Sequence, residues 1–374
     1  MKKKLLYICA DYCVVNRFMS RHAIGIQKKV DMQRRCFEKA GYEVQYGIMY
    51  QLPQNIYPKL TDFNLFSSSI DWQRINTDTP IDVVYVRFHA VEFGLLRFLH
   101  KIKKKNNKVK ILFEFQTFPI GRNYSFKNQD SAYYKFRVFT EFLRLYVDRV
   151  ILCTPDYKEI YGIRTLYMPN GVEYRNTEII PKNHSKDEIH LIAVSSMMPA
   201  HGLDRIIKGM GNYYKQHEDR KVILHLAGRG GEEDNYRILT ADYGLMDYVI
   251  FEGYCTGEKL ENLYLLADIG IYDFGAHRIS KELVSGALKL KEEASYGLPI
   301  IGSGRTDMDG DACMEYMFKF PADETDIDVG KIVSFYDKVY DGDKATVRNT
   351  IKEVFRPYYD VQETLKTVLE YMEG

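Results

Sequence analysis

The sequence has no strong charge of either sign: 52 Lys and Arg against 51 Asp and Glu leave a formal net charge of +1 in 374 residues. With no global field, no nucleic-acid partner is expected, and any electrostatic partner has to be read locally. It also lacks paired cysteines. Cys9, Cys13, Cys36, Cys153, Cys255 and Cys313 are scattered without a CxxC, which argues against a disulfide scaffold and against structural zinc and suits a reducing cytosol. No apolar run approaches the roughly 20 residues of a membrane-spanning helix. The start, MKKKLLYICADYCVV, has the look of a signal peptide, yet its apolar run is short and leads into Asn16 and Arg17 without a small-residue cleavage site. A buried first strand is the better expectation, in a cytoplasmic protein that is soluble or peripheral at a membrane. There is no short repeat, no low-complexity tract and no complete GxGxxG or P-loop.

What is present is an alternation of apolar runs with helical patterns along the whole chain, which predicts parallel sheets covered by helices on both faces. The strands expected in the first half are Lys4–Cys9, Glu43–Ile48, Val83–Arg87, Val109–Phe115 and Arg149–Cys153, with helices near Ile26–Lys39, Val91–Lys105 and Tyr133–Tyr146. Residues 158–183 leave this pattern, and the polar stretch Ile180–Glu188 reads as a linker. Beyond it, Ile189–Ser195, Val222–Ala227, Tyr248–Phe251, Ile269–Tyr272 and Leu298–Ile301 repeat the strand pattern. A chain of this length exceeds one core. The expected division is 1–180 and 181–355, two Rossmann-like doubly wound α/β domains facing a central cleft, with a helix in 356–374 that crosses back to the first.

Ligands of such domains bind outside the carboxyl ends of the strands, and several candidate clusters fall in those loops. In LKLKEEASYGLPII, Leu288–Ile301, the apolar Leu288, Leu290 and Ala294 suit a core while Lys289, Glu292 and Glu293 present charge near a helix N-terminus that favours an anion. Gly297 and Pro299 then end the helix. A cation there could neutralise a pyrophosphate, and a carboxylate could accept from ribose hydroxyls; a solvated amphipathic helix is the plainer alternative. Gly25 lets a phosphate or sugar approach a helix start. His201, Gly202 and Arg205 surround another helix start, Gly228, Arg229, Gly230 and Gly231 form a flexible loop, and Arg278 has the planar fork that matches two phosphate oxygens. Asp307, Asp309 and Asp311 do not follow a calcium-loop pattern, since Ala312 and Phe318 stand where Gly and the bidentate acid belong. Six lysines in Lys101–Lys110 beside an apolar helix could meet an anionic membrane surface.

The order of Gly25, PNGV at Pro169–Val172, HGLDR at His201–Arg205, LAGRG at Leu226–Gly230, FEGY at Phe251–Tyr254 and LKLKEEASYGLP resembles the retaining glycosyltransferases of family 4, with the GT-B fold, and covers nearly the whole chain. GAHR with AHGLDRIIKGM is similar to a branch found in bacterial capsule, O-antigen and exopolysaccharide synthesis. The resemblance implies a nucleotide-sugar donor on the second domain, a saccharide or lipid-linked acceptor on the first, and no metal or other cofactor. It places Glu292 at the second Glu of the family's E-x7-E element, on the ribose, whereas Val284 replaces the first, with Glu282 two residues away. Ser195 and His201 replace the Arg and Lys pair that grips the diphosphate, so that role passes to Arg278 and Lys289, assisted by His201. Gly25 matches the glycine facing the donor phosphate, and Gly228, Arg229 and Tyr254 fall in the base-binding loops. Glu114, Gln116 and Thr117 are the acceptor-side candidates. The rivals are a sugar-nucleotide epimerase on the same architecture and a nucleotide-binding scaffold with a decayed site.

Overall fold

Short apolar runs without polar alternation have to be buried on both faces, and a parallel sheet between helices offers that. In a computed structural model, residues 2–9, 14–15, 24–52, 64–88, 90–115, 118, 130–216, 220–279, 284–310 and 312–374 are described. The chain divides into Met1–Pro169 with Val361–Gly374, and Asn170–Asp360.

The strands of the first unit are β1 (Lys4–Cys9), β2 (Val14–Val15), β3 (Glu43–Tyr46), β4 (Met49–Tyr50), β5 (Val83–Arg87), β6 (Lys110–Glu114), β7 (Arg149–Leu152), β8 (Glu159–Ile160) and β9 (Ile163–Tyr167). Seven of them, among the described residues, form one sheet in the order β3-β1-β5-β6-β7-β9-β8. The pairs are parallel, with registers such as Leu5↔Val83 and Val84↔Ile111. Only β8 runs antiparallel to its neighbour. Its two-residue turn has positive φ at both Tyr161 (51°) and Gly162 (70°), the conformation of a type I′ hairpin. The helices are α1 (Ile24–Lys39), α2 (Phe93–Lys105) and α3 (Asp130–Phe139), the last continued by a 3₁₀ stretch, Thr140–Leu145. Helix α2 buries Leu95, Leu96, Phe98, Leu99 and Ile102 on one face and ends on Lys103, Lys104 and Lys105, where cations suit the dipole.

The second unit has β10 (Glu188–Val194), β11 (Lys221–Ala227), β12 (Val249–Gly253), β13 (Ile269–Ile271), β14 (Val284–Ser285), β15 (Ile300–Ser303), β16 (Arg305–Thr306) and β17 (Met317–Phe320). The main sheet, in the order β12-β11-β10-β13-β15-β17, is parallel throughout, and β14 pairs with β16 separately. The order reverses between β10 and β13, so the topological switch point lies there. Around it pack α4 (Leu203–Tyr214), α5 (Glu233–Asp242), α6 (Gly257–Leu266), α7 (Leu288–Ser295), α8 (Val329–Val339) and α9 (Lys344–Tyr359). Buried Arg348 of α9 donates to the carbonyls of Tyr264, Ala267 and Tyr296, tying α9 to the ends of α6 and α7.

The helices α10 (Val361–Thr364) and α11 (Lys366–Glu373) belong to the first unit. Leu365, Val368 and Met372 are buried in its core, and Lys110 Nζ donates to the Tyr371 carbonyl at 2.9 Å. The expected linker, Ile180–Glu188, lies inside the second unit. Lys182 donates its N–H to Leu265 and His184 meets Asp268, so its polar groups are held by protein contacts.

Candidate functional site

The loops at the switch point are built by backbone packed on backbone. Gly202 has φ +60°, and a Cβ there would lie 2.5 Å from the Gly275 nitrogen. Gly228 has φ +136°, and its Cβ would lie 1.8 Å from the Ser195 carbonyl oxygen. Both positions therefore need glycine for the turn and for the close approach. Phe274 donates its N–H to the His201 carbonyl at 2.9 Å, closing the loop after β10 onto the loop after β13.

Three side chains converge there. Lys289, in the first turn of α7, donates to Asp273 Oδ1 at 2.8 Å, and His201 Nε2 lies 3.8 Å from the same oxygen. All three are largely sheltered, with side-chain exposures of 13–14%. His201 Nδ1 accepts the Met198 N–H at 3.0 Å, so a neutral ring carries its proton on Nε2. Burial, with the Lys289 ammonium beside it, pushes the ring down to about 3, which keeps it neutral. Burial raises the Asp273 carboxyl against the opposing pull of Lys289. Ala287 supplies no side-chain cap to α7, so the first N–H groups of that helix add donors beside the ammonium. An ammonium, an imidazole N–H and an uncapped helix start together suit an anion with several oxygens.

Helix α7 differs from its expected orientation at one residue. Glu293, expected to present charge, is fully buried against Gly270, and neither carboxylate oxygen has a hydrogen-bond partner. Burial drives its proton affinity well above the ordinary range, with Lys289 opposing and Asp273 and Glu292 adding to the rise. Lys291 is equally buried, paired with Asp307 and 5.0 Å from the Tyr359 ring centroid. Glu292 is half-buried near Tyr264. Lys289 and Glu292 are thus the charged residues of α7 that remain partly accessible.

Arg278 is fully engaged. Nε donates to Glu324 Oε1, Nη1 to Pro199 O and Asp204 Oδ1, and Nη2 to Asp204 Oδ2 and Glu324 Oε2, at 2.5–2.9 Å. A guanidinium has five N–H donors, and all five are committed to Asp204, Glu324 and Pro199. Arg205 is likewise buried, with its guanidinium on the carbonyls of Thr325, Pro321 and Phe274. Arg229, in contrast, is exposed, lies 3.8 Å from where a Gly253 Cβ would stand, and makes no ion pair or hydrogen bond with the described residues. Tyr254 follows β12 and is 44% exposed.

Asp273 and Asn170 were missed by the sequence reading. Asp273 sits two residues past β13, in the same loop as His277 and Arg278; its place at a strand's carboxyl end was the available signal. Asn170 of PNGV donates Nδ2 to the Gly286 carbonyl at 2.6 Å, bracing the loop that feeds α7. Asp307 pairs with Lys291, and Asp309 with Lys319 and Thr306. Asp311 and Glu282 lie outside the described residues.

In the first unit, Gly25 falls in the first turn of α1, while Gln116 and Thr117 lie outside the described residues. Glu114, at the end of β6, is buried and saturated: it takes hydrogen bonds from Lys29 (2.7 Å), Arg87 (3.1 Å) and Tyr85 (2.6 Å). Burial alone would raise its carboxyl, but Lys29 and Arg87 hold it at about 2. It joins α1, β5 and β6. Elsewhere in this unit a cavity of about 1170 Å³ is lined by Trp72, Phe93, Phe139 and Phe142, with Arg97, Lys101 and Lys104 at its rim. Of the Lys101–Lys110 run, Lys103, Lys105 and Lys110 are tied to Asp148, Thr77 and Tyr371, whereas Lys101, Lys104 and Lys108 are exposed.

Residues 175–306 match the family model of glycosyl transferases group 1. No curated protein matches the sequence. The fold is similar to that of a glycosyltransferase from Rickettsia africae ESF-5, at 12% identity and TM-score 0.61, covering 100% of this chain and 98% of that one. Sucrose-phosphate synthase from Thermosynechococcus elongatus gives 12% and 0.64, with coverages of 100% and 99%. Anabaena HepE, solved in complex with UDP, gives 13% and 0.61, with 99% of each chain covered. The fold is therefore GT-B, and with the family match it supports the GT-B glycosyltransferase superfamily. No described helix is long and apolar enough to cross a membrane.

Proposed function

We propose that this protein is a retaining glycosyltransferase that moves a sugar from a nucleotide-sugar donor to a saccharide acceptor, without a metal, in bacterial surface-polysaccharide synthesis. The observation that carries the reading is the convergence of Lys289, the His201 Nε2–H and the uncapped start of α7 at the switch point of the second unit. In this reading these groups take the donor diphosphate. Charge grows on the diphosphate as the glycosidic bond breaks, and donors already fixed around it stabilise the transition state more than the ground state. Departing diphosphate oxygen then accepts the acceptor hydroxyl's proton, so the protein supplies positioning and charge and no nucleophile. Glu292 accepts from the ribose hydroxyls, and Gly228, Arg229 and Tyr254 border the base. Arg278 is reassigned from the diphosphate to positioning, because its five donors hold Asp204, Glu324 and Pro199.

The proposed acceptor is lipid-linked. Exposed Phe66 (61%), Phe142 (47%) and Leu145 (63%) stand near the aromatic cavity of the first unit, with Lys101 and Lys104 at its rim. An apolar patch edged by cations suits an anionic membrane, at about 1 kcal/mol per basic residue near the surface. Sedimentation with vesicles of neutral or anionic lipid tests this limb. Binding that grows with anionic lipid and falls in Lys101→Glu/Lys104→Glu supports it; equal sedimentation in all cases removes it.

Incubating the purified protein with UDP-, GDP-, ADP- and CMP-sugars, with and without acceptor extract, tests the transfer itself. Acceptor-dependent release of one nucleotide with retained anomeric configuration is expected. Conversion of the donor without acceptor would point to the epimerase, and nucleotide binding without turnover to the scaffold.

A further inference from the structure

At the far end of β10 from the switch point, three histidines and two carboxylates form a row that the transfer reading does not use. Glu252 Oε1 lies 2.9 Å from His225 Nδ1, His225 Nε2 lies 2.9 Å from His190 Nδ1, and His190 Nε2 points to Glu188 Oε2 at 3.5 Å. The proton positions follow from the first member. A carboxylate only accepts, so His225 carries its proton on Nδ1 and accepts through Nε2; His190 must then donate from Nδ1 and leave Nε2 as a bare lone pair. His190 is 6% exposed, and that Nε2 has no hydrogen-bond partner. A buried lone pair thus faces a carboxylate oxygen with nothing positive between them.

His184 closes the third side. Its ring centroid is 4.4 Å from that of His190, and one ligand atom each from His184, Glu188 and His190 lies within 4.8 Å of the others. Its Nε2 lies 3.1 Å from buried Asp268 and 3.0 Å from the Lys344 ammonium, which itself donates to Asp268, while Nδ1 lies 2.9 Å from the carbonyl oxygen of Ser185. Lys221 holds the other oxygen of Glu188 at 3.0 Å. Histidine ligands of a metal characteristically place their second N–H on a carboxylate or a further hydrogen-bond acceptor, as His190 does on His225.

We propose that His184, Glu188 and His190 form a structural zinc site that fastens the segment before β10 to the start of that strand. Tetrahedral zinc with bonds near 2.1 Å sets its ligand atoms about 3.4 Å apart, close to the 3.5 Å between His190 Nε2 and Glu188 Oε2. His184 would exchange the Ser185 carbonyl for the metal, and water would take the fourth position. Two imidazoles and one carboxylate suit Zn²⁺ over Mg²⁺ or Ca²⁺. The scattered cysteines, which argue against cysteine-held zinc, do not bear on this donor set. The site is independent of glycosyl transfer.

The test uses the tag-free full chain, stripped with a chelator and titrated with Zn²⁺ against a fluorescent competitor, with Co²⁺ as a spectroscopic substitute. Expected are one equivalent of tight Zn²⁺, a four-coordinate Co²⁺ spectrum and a Zn²⁺-dependent rise in melting temperature. His190→Ala and Glu188→Gln should each weaken Zn²⁺ by about tenfold or more, while His100→Ala, on the surface, leaves it unchanged. Should His190→Ala fail to fold, Glu188→Gln at the rim of the strand carries the test. Absence of stoichiometric Zn²⁺, a six-coordinate Co²⁺ spectrum, or equal affinity in Glu188→Gln would overturn the proposal.

Discussion

Each unit buries a carboxylate beside a strand end, and the two are treated in opposite ways. Glu114 in the first unit has Lys29, Arg87 and Tyr85 on it, whereas Glu293 in the second has no hydrogen-bond partner at either oxygen. The first is held ionised, and burial drives the carboxyl of the second upward. A saturated network fixes a fold, because every charge has its partner on the protein. An under-compensated cluster is costly unless it stays neutral or a ligand completes it, and here Lys289, Asp273 and His201 stand beside it. In the proposed reading the contrast separates a framework in the first unit from a receptive site in the second.

Removing one partner from the saturated network should have the largest effect. Glu114→Ala leaves Lys29 and Arg87 buried without their anion, and a loss of about 3–5 kcal/mol is expected. Chemical denaturation should show it at pH 7, and a variant as stable as the parent would erase the contrast. On the other side, Lys289→Ala should keep the fold and lower turnover by about 100-fold or more, the scale of losing one preorganised donor. Unchanged kcat with a folded variant would move the diphosphate elsewhere. Glu292→Ala should weaken nucleotide binding by about 10- to 100-fold through lost bonds to a charged acceptor, measured by calorimetry with the melting temperature unchanged.

The smallest effect sharpens the comparison through pH. Glu114 has a folded pKa below its unfolded value, so the stability it lends is present above the ordinary Glu range near 4.5 and is lost as pH falls toward 2. Glu293 has a raised pKa: the folded state binds the extra proton, and its contribution is present below the ordinary Glu range and declines as pH rises through the interval up to its folded value. Glu293→Gln mimics the protonated acid. It should alter stability at neutral pH by less than about 1 kcal/mol, the scale of a tolerated shape-conserving swap, and flatten the decline at higher pH. An unaltered pH profile would show that Glu293 is not the group that titrates.

Much of the framework was legible because apolar runs have no other place to go. Lys4–Cys9 and Val83–Arg87 were read to the residue, and helix α7 ends two residues before the expected stop at Gly297. The β8–β9 hairpin was not legible, since its turn places Tyr161 at positive φ, against the propensity of an aromatic residue. At the site, Lys289 and His201 come together as the residue types suggested, but Arg278 does not remain available. Its partners Asp204 and Glu324 are 74 and 46 residues away in sequence, and no local pattern announces them. Glu293 is a different case: it shares the i, i+3, i+4 face of Leu290 and Ala294, so the helical period already placed it inward. The rarity of buried acids argued for solvent, and packing against Gly270 decided otherwise.

The central claim is that the switch point of the second unit holds the diphosphate of a nucleotide sugar. Isothermal titration of the parent and of Lys289→Ala with UDP, GDP, ADP and CMP tests it most directly. The account predicts one nucleotide bound at a single site, with affinity falling at least about tenfold in the variant as a charge-assisted bond is lost. Equal affinity in both proteins, or no nucleotide bound by a folded parent, would contradict it.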